Sequence, residues 1–271
     1  MRRTEPDRAT LGTTFDRIPS SYDRYRPAYP PEAIEALVEL SGAAAGAEVL
    51  EIGAGTGKLT VPLAEHGFRI TAIEPGPRMA ALLARRVARW PGVRIVHSTF
   101  EEAPIAPAAF DLVVAATAFH WVDPDRRYDL AAAALRPGGV LGLIRNDHVA
   151  APSNRAYIVG VRPIYERHAP ALLEDLALLM SGDAPGFADE MRASGRFDDV
   201  EQRQFGWDQP FTAATLVGML GTHSEHRALP RRRRSALLRD IREFVETELG
   251  GGYVDRYVTS VCVGRVRRDS D

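Results

Sequence analysis

The stretch that most constrains this chain is Val49-Leu50-Glu51-Ile52-Gly53-Ala54-Gly55-Thr56-Gly57, followed by Ile70-Thr71-Ala72-Ile73-Glu74. It reads as a buried strand, a glycine-spaced turn, a helix-length segment and a second strand that ends on a carboxylate. Gly53, Gly55 and Gly57 permit a sharp turn and let a ligand approach the backbone without meeting a Cβ, while the helix opening near Lys58 offers unsatisfied N–H groups. Glu74 stands about 20 residues on, where nucleotide-binding α/β folds place the acid that accepts from ribose hydroxyls. The order of these features selects a nucleoside site over a solvated glycine turn.

Further strands are expected at Val93 to His97, Leu112 to Ala116 and Val140 to Arg145, after strands at Glu48 to Ile52 and Arg69 to Glu74. Their alternation with helix-length segments argues a parallel sheet covered on both faces. A helix marked by Pro30-Pro31-Glu32 precedes the first strand. After Arg145 the alternation stops until Val200 to Gly206, and the intervening residues carry helical patterns at Asn154 to His168, Ala171 to Met180 and Phe187 to Ala193. A structureless loop of that length is improbable, so a helical cap is expected over 146–198. More helices are expected at Ala213 to Leu220 and Arg232 to Leu249, and the final strand at Tyr257 to Val266. The division is then an arm over 1–29, a nucleoside-binding core over 30–145, the cap, and a remainder over 199–271 that completes the sheet. The first dozen residues are polar and read as a mobile tail.

Glu51 precedes the first glycine, giving Glu-x-Gly-x-Gly-x-Gly in place of the Gly-x-Gly-x-x-Gly of dinucleotide sites. This pattern resembles motif I of the class I S-adenosylmethionine-dependent methyltransferases, in which the loop wraps the amino-acid part of the cofactor. Ile73-Glu74-Pro75 with Met79 resembles their second motif, the acid on the ribose and the apolar side chain against the adenine. Phe110-Asp111-Leu112-Val113-Val114 resembles their fourth strand, and Leu135-Arg136-Pro137-Gly138-Gly139-Val140-Leu141 the turn into their fifth. The resemblance covers roughly residues 45 to 145. It implies a Rossmann-like α/β fold with a seven-stranded, mostly parallel sheet, the last strand returning antiparallel between strands five and six, and S-adenosylmethionine as cofactor, leaving S-adenosylhomocysteine. Methyl transfer by in-line displacement needs alignment and exclusion of water, and no metal or protein nucleophile is obligatory.

The resemblance also distributes roles. Glu51, Gly53, Ala54, Gly55, Gly57, Glu74, Pro75 and Met79 fall on the cofactor side, with Ala116, Thr117 and Trp121 after the fourth strand. Thr99 and Phe100 fall where the family holds the adenine, Thr99 standing in place of the usual acid. His120-Trp121 resembles a phrase of the trans-aconitate type and its small-molecule relatives, making His120 a candidate base or orienting donor, or else a packed structural histidine. Tyr22, Tyr25, Arg26 and Tyr29 resemble the Tyr-Asp-x-x-Arg-Pro-x-Tyr phrase that folds over the cofactor in these enzymes. Arg26 would hold the methionine carboxylate, and Tyr22 would close the pocket beside the reacting atoms. Tyr25, Tyr29, Arg145, Trp207 and His223 are the substrate-side candidates; Thr222-His223-Ser224 resembles a Thr-x-Ser phrase of the same relatives.

Composition narrows the alternatives. Among 271 residues, 36 acids nearly balance 34 bases, against a general nucleic-acid binder or a polybasic membrane anchor. Lys58 is the only lysine, and Arg231-Arg232-Arg233-Arg234 reads as a solvated helix face. Cys262 is alone, which leaves no intramolecular disulfide and no cysteine metal cluster. No signal peptide or membrane span is evident, so a cytoplasmic monomer or homodimer is expected. The acceptor suggested is a small organic acid, phenol or secondary metabolite, methylated on a carboxylate or hydroxyl oxygen in preference to carbon or nitrogen. A nucleic-acid methyltransferase would carry Asn/Asp-Pro-Pro-aromatic after the fourth strand, where this chain reads Ala116-Thr117-Ala118-Phe119. A protein target, or a cofactor-binding protein repurposed for cyclisation or regulation, remains as the other alternative.

Overall fold

The computed structural model describes residues 15–173 and 186–267. Strand β1 (Glu48–Ile52) is apolar and buried, with Val49, Leu50 and Ile52 pointing alternately to both faces, as befits the middle of a parallel sheet. It lies between β2 (Arg69–Ile73) and β4 (Phe110–Ala116), parallel to both. β3 (Val93–Val96) flanks β2 and β5 (Leu135–His148) flanks β4, again in parallel. β7 (Gly252–Val266) inserts antiparallel between β5 and β6 (Phe197–Thr212), giving the order β3-β2-β1-β4-β5-β7-β6. The expected Rossmann-like sheet of seven strands, with the last antiparallel, is the sheet this chain forms.

Helix α1 (Pro19–Tyr25) belongs to the N-terminal arm. On one face of the sheet α2 (Pro31–Ser41), α3 (Thr60–Glu65) and α4 (Pro77–Val87) bury Leu37, Leu63 and Leu83 against Leu112 and Ile144. On the other, α5 (Arg127–Ala134) packs Tyr128 and Ala131 with Phe110, Leu141 and Phe197. α1, α2 and α4 each open on a proline, whose missing N–H costs nothing at a helix start.

Helix α6 (Arg155–His168) follows β5, and α7 (Phe187–Ala193) packs Met191 into the sheet core. α8 (Ala213–Leu220), the short α9 (Ser224–Ala228) and α10 (Arg231–Glu248) lie between β6 and β7. α6, α8 and α10 share one apolar cluster, in which Val161 and Tyr165 meet Leu216, Met219, Leu237 and Ile241. The cap is therefore assembled from both sides of β6. The helix expected over Ala171 to Met180 lies largely outside the described residues. Among the described residues no helix is long and apolar enough to cross a membrane.

The last three strands run well past the bounds expected from apolar periodicity. β5 continues beyond Arg145 to His148, β6 beyond Gly206 to Thr212, and β7 begins at Gly252 instead of Tyr257. Residues 146–148, assigned by pattern to the cap, are thus strand. The cause is the ladder: β7 is paired on both sides, so backbone hydrogen bonds carry the strands through residues whose side chains give no apolar signal. Two cross-strand rows result, His148–Tyr257–Trp207 and Asn146–Thr259–Phe205.

Candidate functional site

The glycine loop leaves the carboxyl end of β1, at the edge where open α/β sheets place ligands. Gly53, Gly55 and Gly57 all have positive φ, at 66°, 58° and 90°. A Cβ on Gly53 would fall 2.6 Å from the Ala118 Cβ, and one on Gly57 would fall 2.7 Å from Leu83 Cδ1. Gly55 meets nothing within 4 Å and faces a cavity. Gly53 and Gly57 thus admit close neighbours, whereas Gly55 leaves space for a ligand. The Gly55 amide donates to Glu74 Oε2 at 2.8 Å and the Gly76 amide to Oε1 at 2.8 Å, so the carboxylate at the end of β2 braces the loop.

Glu51 is 1 % exposed, lines the cavity, and its Oε2 has no hydrogen-bond partner. Burial pushes its carboxyl up to about 8, the nearby Thr60 hydroxyl opposing the rise and the Glu74 charge adding to it. The Thr60 hydroxyl is itself without a well-aligned partner, so its influence on Glu51 is one of proximity and falls short of a hydrogen bond. A buried acceptor of this kind is costly unless a ligand donor meets it.

The arm closes the site from above. Asp16 Oδ1 accepts from the amides of Arg78 at 2.7 Å and Met79 at 3.0 Å, capping α4. Asp23 accepts from the Thr56 hydroxyl at 2.8 Å and pairs with Arg86 at 2.7 Å, while its carbonyl takes Lys58 Nζ at 2.9 Å. Arg26 Nε donates to Thr222 Oγ1 at 2.8 Å, joining the arm to the cap. The Tyr29 and Thr117 hydroxyls are 2.8 Å apart. Tyr22 meets Phe15 edge-on at 5.6 Å, and Phe15 meets Trp121 in the same way at 5.7 Å. Burial raises the Tyr22 phenol, with Arg26 opposing and Glu74 reinforcing the shift. The space left is about 70 Å³, far below the roughly 300–1,000 Å³ of a pocket that holds a ligand.

Of the residues expected from sequence, Tyr22, Arg26, Tyr29, Glu51, Gly53, Ala54, Gly55, Ala116 and Thr117 border this cavity. Glu74 and Gly57 reach it only through the loop they shape. Met79 is buried in the first turn of α4, the Pro75 carbonyl accepts from His97 Nε2 at 2.8 Å, and Phe100 is packed in the sheet core beside Thr99. His120 is exposed on a short 3₁₀ turn, its ring 4.7 Å from that of Trp121, and is not among the cavity-lining residues. The structure also sets four substrate-side candidates, Tyr25, Arg145, Trp207 and His223, apart from the cavity wall. Tyr25 packs on Gly218 of α8, Arg145 pairs with Asp147 at 2.8 Å over the Phe187 ring, and Trp207 stacks behind Tyr257. The His223 ring contacts Met219 Sδ at 2.9 Å, and burial, followed by the charges of Arg26, His226 and His148, holds it well below the usual histidine value.

Sequence reasoning missed Thr56, Lys58, Asn146, His148, Met219 and Tyr257, all of which line the cavity. Lys58 was visible as the only lysine; the others had no signal short of the fold. Thr259 Oγ1 donates to Asn146 Oδ1 at 2.6 Å and Asn146 Nδ2 to the Ala28 carbonyl at 3.0 Å, which ties the arm to β5.

Comparison with known proteins gives a consistent picture. A family model described as a methyltransferase domain matches residues 50–143. The chain is 32% identical over 260 residues to an uncharacterized methyltransferase of Mycobacterium bovis, covering 94% of this chain and 96% of the relative. It is 28% identical over 184 residues to a demethylmenaquinone methyltransferase of Tropheryma whipplei, covering 66% of this chain and 73% of that protein. Among solved structures, a protein assigned as a type II methyltransferase from Anaeromyxobacter dehalogenans aligns with a TM-score of 0.61 at 24% identity, over 89% of this chain and 98% of its own.

Proposed function

The chain belongs to the class I S-adenosylmethionine-dependent methyltransferases, and on that premise we propose that it methylates a small molecule, on a hydroxyl or carboxylate oxygen. S-adenosylmethionine is the cofactor, and it supplies a methyl group on a positively charged sulfur. The residues present fit it. The unpartnered, deeply buried Glu51 oxygen is an acceptor suited to the cationic amino-acid end, and Gly55 leaves the backbone open there. Arg26 borders the same space and would hold the carboxylate of that end. Glu74 would accept from the ribose, and Met79 would lie against the adenine.

The observation that carries the small-molecule reading is the enclosure of the cavity. It is roofed by the arm and lined by Tyr22, Tyr29, Met219 and Tyr257. Entry requires the arm to lift from its Asp16 and Asp23 anchors, and its return excludes water from the transfer. The test is incubation with methyl-labelled cofactor and a pool of phenols, hydroxy acids, carboxylic acids and amines, read by mass. Label on one or more oxygen acceptors is expected. Label confined to added RNA or protein would overturn the reading.

A further inference from the structure

Behind the glycine loop the cavity wall is built from the extended ends of β5 and β7, and three side chains there are linked in series. His148 and Tyr257 face each other across the ladder, their rings 4.2 Å apart. Asp255, two residues before Tyr257 and on the same face of the strand, is 5 % exposed. Its Oδ1 accepts from Asn154 Nδ2 at 2.9 Å and from the Arg256 amide at 3.0 Å. Its Oδ2 lies 2.7 Å from His148 Nδ1. A carboxylate can only accept, so Nδ1 carries a proton; in the neutral imidazole Nε2 then keeps a lone pair, to which the Tyr257 hydroxyl, 3.1 Å away, can donate. Trp207 fixes Tyr257 from behind, stacking at 4.9 Å while its own N–H donates to Thr259. His148 and Tyr257 both border the cavity, as do Gly53 and Tyr29.

We propose that His148, oriented by Asp255, takes the proton of the methyl acceptor, and that the acceptor is therefore a hydroxyl or phenol in preference to a carboxylate. This deepens the small-molecule reading above and rests on it. In the step, the acceptor oxygen forms a bond to the methyl carbon as the carbon–sulfur bond breaks, and the sulfur keeps that electron pair and becomes neutral. The hydroxyl proton passes to His148 Nε2, either directly or by way of the Tyr257 hydroxyl, and leaves afterwards to solvent. Asp255 is a positioning residue: it holds the tautomer and stabilises the imidazolium while it lasts. A carboxylate acceptor brings no proton at neutral pH and would face the buried Asp255 charge, so the same arrangement disfavours it. His223 lies 6.5 Å from His148 between ring centroids, the Arg26 charge reaches both His223 and Tyr257, and Tyr157 and Tyr253 lie near Asp255.

The experiment compares wild type with His148→Gln, Asp255→Asn and Tyr257→Phe, using methyl-labelled cofactor and matched pairs of phenols and benzoates as probes. Ethers and no esters are expected. His148→Gln should lower kcat by about 10²–10⁴-fold at neutral pH, the usual range for a positioned base, with S-adenosylhomocysteine affinity retained. The deficit should shrink as pH approaches the phenol's own value, about 10 for a tyrosine-like group. Ester formation by wild type, or His148→Gln turning over at the wild-type rate, would overturn the proposal. Transfer to no small molecule would instead remove the reading beneath it. Nitrogen NMR of the histidines then still decides the geometry: a neutral His148 with Nε2 unprotonated, changed in Asp255→Asn, is expected. A wild-type His148 protonated at Nε2 near neutral pH overturns it. His148 keeps 23% side-chain exposure, so its glutamine variant is the one expected to fold if the buried Asp255 variant does not.

Discussion

Glu51, buried with an unpartnered oxygen, is placed to couple protons to both folding and the cofactor binding proposed above, and its replacement by glutamine tests this. In the folded protein its carboxyl stands at about 8, chiefly through burial, against 4.5 when free. Because the folded value is the higher one, the native state keeps a proton that the unfolded state has lost, and stability falls as pH rises between the two values. The gap, at 1.36 kcal/mol per unit, sets a ceiling of about 5 kcal/mol on the cost of ionising this residue in the fold. Glu51→Gln mimics the protonated form and has no such slope. Denaturant titrations at intervals from pH 5 to 9 should therefore show the variant gaining on wild type up to about pH 8, with the difference level beyond it. Binding adds the second readout. A cationic ligand at Glu51 favours the ionised form, so S-adenosylmethionine uptake at pH 7 should release close to one proton, measured by calorimetry in buffers of different ionisation enthalpy. Glu51→Gln should release none. Stability curves that stay parallel across the whole range, or proton release that survives the substitution, would mean that Glu51 is not the titrating group.

The remaining predictions concern the loop and the arm. Glu74→Ala removes the acceptor of two amide hydrogen bonds as well as the ribose contact proposed for it; calorimetry with S-adenosylhomocysteine should register a loss on the order of 1.5–3 kcal/mol, with a lowered Tm. Gly53→Ala should cost more stability than Gly55→Ala, since both face backbone strain of about 1–2 kcal/mol but only Gly53 also drives a Cβ into Ala118. Equal thermal shifts would contradict that ranking. Asp23→Ala releases Thr56 and Arg86 together, and limited proteolysis should cut the arm faster in the variant while the sheet core stays resistant.

What could be read from the sequence, and what could not, follows from how far each signal reaches along the chain. β1, its glycine loop and β2 were legible because a doubly buried parallel strand is a continuous apolar run and the turn after it needs residues that tolerate positive φ. Both requirements fall within about two dozen residues. His120 was found by phrase, yet the phrase carries no information about the 3₁₀ turn that leaves it exposed. Asp23 resembles any surface acid until the arm folds back and sets it between Thr56 and Arg86, 33 and 63 positions away. The His148–Asp255 contact spans 107 positions and depends on the register of β7, the strand that enters the sheet last. Apolar periodicity stops at Arg145 on β5 because Asn146 and His148 beyond it turn polar side chains toward the cavity, whereas Tyr253 and Phe211 at the extended ends of β7 and β6 pack into an apolar cluster of their own. The loss of the hydrophobic pattern at the end of β5 is thus itself the trace of a site, since Asn146 and His148 continue the strand in register and line the cavity.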